Sequence, residues 1–248
     1  MSEKELDGRV AIVTGAGRNI GRALALELAA AGAAVVVNAR ANAAEAQGVA
    51  GEIEASGGRA IAVTADVRDE AAVARMTAAA MERFGRIDIL VNNAAVRREQ
   101  AIDQMTFAEW RDILAIILDG AFICAKACLP ALRASGVGTI VNIGGLSAHT
   151  GAERRAHVVT AKAGLVGFTR ALAHDLANDK VTVNCVAPGL IVTKREGPEP
   201  HHRGTHHTLL GTRGAAQDIA ATVRFLCGPG ARYITGQTVH VNGGAFLG

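Results

Sequence analysis

The chain is 248 residues long, carries 26 basic against 23 acidic side chains for a net charge of +3, and is 50% hydrophobic. A chain of that length and apolar content buries about 70–75% of its unfolded surface in one layered domain, which excludes disordered, collagen-like and small disulfide-held scaffolds. The lack of a dense basic tract and an aromatic content of 3% speak against a nucleic-acid partner.

No run of about 20 apolar residues suggests a membrane span. The first eight residues are charged where a signal peptide is apolar, and Cys124, Cys128, Cys185 and Cys227 are scattered without a CxxC pair. These features predict a cytoplasmic protein with reduced thiols, no membrane partner and no structural metal.

In chain order, short β-branched runs at 10–14, 34–38, 60–64, 87–91, 139–143, 181–186 and 238–241 alternate with Ala-rich stretches. The stretches 20–31, 70–84, 156–178 and 215–226 carry apolar residues at three- and four-residue spacing, as core-facing helices do. Continuous Val/Ile runs imply burial on both faces. The expected fold is α/β, a doubly wound, seven-stranded parallel sheet of Rossmann type, formed as a single domain over 1–248. One segment, 190–211, concentrates Pro, Gly, charge and four of the eight histidines, and is expected to form a lid.

The first run leads into TGAGRNIG at 14–21 and then into a helix, the context in which a glycine pattern signals a nucleotide. Gly15 allows the tight turn. Asn19, Ile20 and Gly21 open the helix, whose unpaired amides and positive dipole end suit a pyrophosphate. After the second run, where a carboxylate would hold the 2′-hydroxyl of NAD, the chain reads Asn38-Ala39-Arg40. Arg40 and Arg18 suit a 2′-phosphate instead, so NADP(H) is favoured over NAD(H).

With these residues, NNAA at 92–95, Asp66-Val67 and Pro188-Gly189, the chain resembles the short-chain dehydrogenase/reductase family along nearly its whole length. The resemblance implies that Asp66 and Val67 frame the adenine and that Asn92 and Ala94 line the cofactor cleft. It further implies that Pro188 and Gly189 belong to the cofactor site, that Ile191 and Thr193 meet the nicotinamide carboxamide, and that the protein is a homo-oligomer, a dimer or tetramer. The family's middle glycine is Asn19 here, a residue that tolerates a left-handed backbone.

At the catalytic end the resemblance assigns a proton-donating Tyr four residues before a Lys, a Ser thirteen residues before that Tyr, and an upstream Asn. Lys162 matches the Lys, but the other three positions fall on Val158, Gly145 and Ile117. The only tyrosine, Tyr233, lies far along the chain. A positioned acid contributes about 10²–10⁴ in rate and an oxyanion donor about 10²–10³, so losing both costs about 10⁴ or more.

Replacement candidates are Ser147 and His149 on the loop after the fifth run, with His149 able to act as an acid. Arg154 and Arg155 reach an anionic substrate if the helix begins early enough and otherwise form a solvated helix entry, whereas His157 points about 100° away from the Val158 face. The cluster His201, His202, His206 and His207 lacks a carboxylate or Cys that would complete a metal site, and with Lys194, Arg195 and Arg203 it suits attraction of an acidic substrate. Lys162 is expected to bind the nicotinamide ribose first. Three readings follow: an oxidoreductase with a non-standard site acting on a small carbonyl, imine or conjugated substrate; an inactive NADP(H)-binding pseudoenzyme or partner subunit; and a non-redox lyase or isomerase.

Overall fold

A computed structural model describes residues 4–193 and 207–248. Seven strands form one sheet: β1 (Val10–Val13), β2 (Ala34–Ala39), β3 (Arg59–Thr64), β4 (Ile89–Asn92), β5 (Thr139–Ile143), β6 (Thr182–Pro188) and β7 (Thr238–Val241). Every pairing is parallel, in the order β3-β2-β1-β4-β5-β6-β7. The expected doubly wound α/β sheet is therefore present. Strand order reverses between β1 and β4, and a crevice opens beyond the carboxyl ends of strands at such a point.

The helices are α1 (Asn19–Ala30), α2 (Ala43–Ala55), α3 (Glu70–Phe84), α4 (Phe107–Leu114), α5 (Gly120–Ala134), the short α6 (Ser147–Thr150), α7 (Ala156–Asp175) and α8 (Ala216–Cys227). Leu24, Leu28, Val49, Ile53, Val223 and Leu226 bring α1, α2 and α8 onto one sheet face. Val73, Met76, Cys124, Cys128 and Ala173 bring α3, α5 and α7 onto the other.

Several boundaries differ from expectation for local reasons. Thr14 leaves β1 to form the turn, and the helix expected to reach residue 178 ends at Asp175, followed by a 3₁₀ turn, Ala177–Asp179. The expectation of two-sided burial holds for β1, β2, β4, β5 and β6 but not for the edge strands β3 and β7, which are partly exposed. An edge strand lacks a neighbour and a complete helical cover.

A five-residue π-helical stretch, Ala115–Asp119, joins α4 to α5 in one continuous helix, Phe107–Ala134. An 18-residue window of this helix reaches a mean hydropathy of 1.9, enough to pass for a membrane span by length and composition alone, although charged residues interrupt every apolar run in it. Here Ile113, Ile117, Cys124, Cys128 and Leu132 are buried in the fold, while Phe107 and Phe122 are exposed.

Candidate active site

Two residues of the glycine loop adopt left-handed backbone, Gly15 at φ 61° and Asn19 at φ 50°. A Cβ on Gly21 would lie 2.1 Å from the Gly15 carbonyl oxygen, so this position excludes any side chain. The loop is held from both sides. The Gly15 N–H donates to Asn38 Oδ1 at 3.2 Å, while Asn38 Nδ2 donates to the Ala65 carbonyl at 3.0 Å. Thr14 Oγ1 accepts from the Asn93 and Ala94 amides, both at 3.0 Å, which ties β1 to β4 at the switch point. The sequence reading gave Asn38, Thr14 and Asn93 no such part.

At α1, the preceding residue Arg18 makes no side-chain cap and the first turn holds no acid. Its amides and dipole end are thereby left for an anion, the condition a pyrophosphate needs. Thr193 carries a buried hydroxyl with no hydrogen-bond partner among the described residues, in keeping with a contact to a bound group. These residues fit a dinucleotide.

Arg18 and Arg40 are both exposed. Asp66 is held below the ordinary carboxylate range by hydrogen bonds from Arg68, with a lesser contribution from Arg40. Arg68 also meets Asp112 at 2.7 Å, and Arg98 meets Asp112 at 2.9 Å, so an ion-pair chain runs from Asp66 to the loop after β4. Val67 is buried and would be struck by a Cβ on Gly120. Asn92 borders a smaller pocket with Thr14, Val67 and Ala94. Its amide donates to Asn142 Oδ1 at 2.9 Å inside the core, and the neighbouring Asn93 lines the large cleft instead. Alternation along the strand end turns these adjacent side chains opposite ways. Ala94 lies against Gly15.

That cleft is open to solvent, with room for water-sized molecules over about 130 Å³. Ile20, Pro188, Gly189 and Ile191 form part of its wall, as does Ser147. Helix α7 contributes Arg155, Val158 and Lys162 at spacings of three and four residues, which share one helical face. Val158 is 3% exposed and packs with Ile113, Ile117 and Leu165. Gly145 also lines the cleft, and a Cβ there would meet nothing within 4 Å. Ile117 sits in the π-helical stretch, 2% exposed, within that apolar cluster.

Lys162 is buried and donates through Nζ to the Ile143 carbonyl. Burial, then the Arg97 charge, and more weakly Arg155, push it down from the usual lysine range to about 7. An ammonium has three N–H donors, so two remain beyond the bond to Ile143.

His149 is not brought to the cleft. Its ring lies 4.5 Å from that of His240 and 5.4 Å from that of Phe246, and burial pushes its imidazole below the usual range. It stands two residues after the cleft-lining Ser147 on α6, about 200° around the helix, which turns it away. His157 is fully buried, with Arg98 and Glu109 among its charged neighbours. Arg155, by contrast, joins the cleft, as does Arg97, which sequence reasoning missed. Lys194, Arg195, His201, His202, Arg203 and His206 lie outside the described residues, so the lid is represented only by its two ends.

A family profile described as "Enoyl-(Acyl carrier protein) reductase" matches residues 15–245. The 3-oxoacyl-[acyl-carrier-protein] reductase of Synechocystis is 40% identical over 243 residues, covering 98% of each chain. The chain belongs to the short-chain dehydrogenase/reductase family. The FabG reductase of Pseudomonas aeruginosa is 39% identical, over 98% of this chain and 99% of its own. Among solved structures, a dehydrogenase/reductase from Sinorhizobium meliloti superposes with a TM-score of 0.93 at 34% identity, over 99% of this chain and 98% of its own. A short-chain dehydrogenase from Burkholderia cenocepacia, solved in complex with NADP, superposes at 0.90 and 35% identity, over 97% of this chain and 99% of its own. Likeness to these family members extends through both halves of the sheet.

Proposed function

We propose that this chain is an NADP(H)-dependent reductase of the family in which Lys162, and not a tyrosine, delivers the proton. The observation that carries this reading is the preserved cleft with a buried lysine on its wall, beside an apolar Val158 and an open Gly145. The amides opening α1 would hold the pyrophosphate, Arg18 and Arg40 the 2′-phosphate, and Lys162 the nicotinamide ribose. The reductase names of the relatives and the NADP bound to the Burkholderia protein support this cofactor.

NADPH, held by the amides opening α1, Arg18, Arg40 and Lys162, would supply a hydride to an electrophilic carbon. Lys162 holds the proton at Nζ and releases it to the oxygen or nitrogen of the polarised C=O or C=N, becoming a neutral amine that solvent reprotonates. Val158 and Ile143 exclude water on that side. A group that is half protonated near neutrality is well matched to this transfer.

The test is a fluorescence titration with NADPH and NADH, followed by NADPH oxidation with imines, enones and ketones across pH. NADPH should bind more tightly than NADH. Only the ammonium donates, so kcat/KM should be flat below the Lys162 pKa of about 7 and fall about tenfold per pH unit above it. Tight NADPH binding with no turnover at any pH would instead support a binding protein, a reading that the apolar packing of Val158 favours. Product formed without loss of NADPH would point to lyase or isomerase chemistry.

A further inference from the structure

Lys4, Lys126 and Lys180 are exposed, whereas Lys162 is only 8% exposed and still lines an open cleft. Val158, Ile143 and Gly145 stand in the same wall, and a Cβ on Gly145 would meet nothing within 4 Å. The Lys162 Nζ makes one hydrogen bond among the described residues, to the Ile143 carbonyl. The ionisable groups felt at Nζ are Arg97, of its own sign, then the Cys185 thiol, then Arg155.

A buried ammonium asks for three acceptors and a counter-charge. A neutral amine asks for less: one N–H goes to Ile143 and the lone pair is left over for whatever enters the cleft. That combination, a desolvated amine beside open space, is what a carbonyl-capturing lysine needs. Two donors accompany it. The Ser147 hydroxyl and the Gly145 amide line the same cleft and make no hydrogen bond within the described residues, so both are available to a carbonyl oxygen.

We propose that in the cofactor-free protein Lys162 captures small aldehydes as an imine, which makes the cleft a covalent carbonyl-binding site. The nitrogen lone pair adds to the aldehyde carbon, and a proton passes from nitrogen to oxygen to give a carbinolamine. Its hydroxyl then leaves as water and a C=N bond remains, with no oxidant or reductant consumed. The room for about 130 Å³ of water-sized molecules limits the aldehyde to a few carbons. This goes beyond the reductase reading, in which the ammonium form gives a proton while NADPH is bound. Here the neutral form gives its electron pair before the cofactor enters, and neither role depends on the other.

The test is reductive trapping on the whole protein, so no variant has to fold. The protein, freed of nucleotide, is treated with propanal and sodium cyanoborohydride at pH 7, and propyl groups are located by peptide mass mapping. At that pH about half of the Lys162 amine is neutral, against fewer than about one in 10³ for an ordinary lysine of pKa about 10.4. Lower basicity and passage into the cleft take back part of this advantage. Lys162 should therefore be labelled about tenfold or more faster than Lys4, Lys126 or Lys180. The ratio should hold steady below pH 7 and fall about tenfold per pH unit above it, as ordinary amines go on losing protons after Lys162 has lost its own.

Saturating NADP⁺ separates the two readings. It should slow the labelling of Lys162 by about tenfold or more and leave the exposed lysines unchanged, because ribose and aldehyde compete for Nζ. Labelling that persists under NADP⁺ keeps the capture site and removes Lys162 from the ribose contact. Labelling with no NADPH oxidation of any substrate keeps the site and ends the reductase reading. Lys162 labelled no faster than the exposed lysines, or a ratio indifferent to pH, overturns the proposal.

Discussion

The two ends of the cleft are built by different means. Around the glycine loop, shape is set by backbone: Gly15 and Asn19 lie in left-handed regions, and Gly21 sits 2.1 Å from a carbonyl at its missing Cβ. On the α7 side, shape is permissive, since a Cβ on Gly145 meets nothing within 4 Å and Val158 fills its place through apolar contacts. A site made by backbone constraint tolerates few residues, whereas one made by functional groups on a rigid helix changes chemistry with the fold untouched. On the proposed reading, the nucleotide end is the backbone-limited part of the cleft, while the end beside Lys162 carries Val158 and Gly145.

The sharpest way to test that contrast is to restore side chains at the permissive end. Gly145→Ser together with Val158→Tyr should raise NADPH oxidation with a neutral ketone by about 10⁴, the combined worth of an acid and a hydrogen-bond donor. Steady-state kinetics decides it. An unchanged rate in a folded, NADPH-binding variant would mean that the difference between the two ends extends beyond two side chains. At the constrained end, Gly21→Ala should weaken NADPH binding by about a hundredfold, because a backbone carbonyl has to move, and overpacking of this kind costs about 1–3 kcal/mol in stability. Fluorescence titration and a thermal melt measure both, and native affinity in this variant would show that the loop is not backbone-limited.

The same contrast explains what was legible in the sequence. Parallel order, strand number and the glycine loop follow from local patterns: β-branched runs, helical spacing and a turn between strand and helix. Edge strands read like central ones because a run of apolar residues does not disclose whether a neighbour stands beside it. Asn92 and Asn93 share a motif, yet the pleat sends one amide into the core and the other to the cleft.

His149 stands close in sequence to Gly145, but α6 places its ring against His240 and Phe246. Arg97 left no signal at all. Its place depends on how the loop after β4 folds back toward α7, a contact between distant segments. The link from Arg68 to Asp112 was equally silent, since it needs α4 beside the end of β3.

The smallest expected effect concerns the choice between the two dinucleotides, where the nucleotide end depends on side chains after all. Asn38 occupies the place near a ribose carboxylate, but its amide is spent on Gly15 and Ala65, so it holds the loop and leaves cofactor choice to its neighbours. Arg40 is exposed and adds its charge beside Asp66, so its removal should leave packing and stability unchanged. In Arg40→Ala the preference for NADPH over NADH should fall by about tenfold, one charge-assisted hydrogen bond, with NADH affinity unaltered. Adding Arg18→Ala should lower it again if both guanidiniums meet the same phosphate. Equal losses for NADPH and NADH would place Arg40 at the pyrophosphate or the adenine, and the backbone-built loop would then be the whole of the nucleotide site.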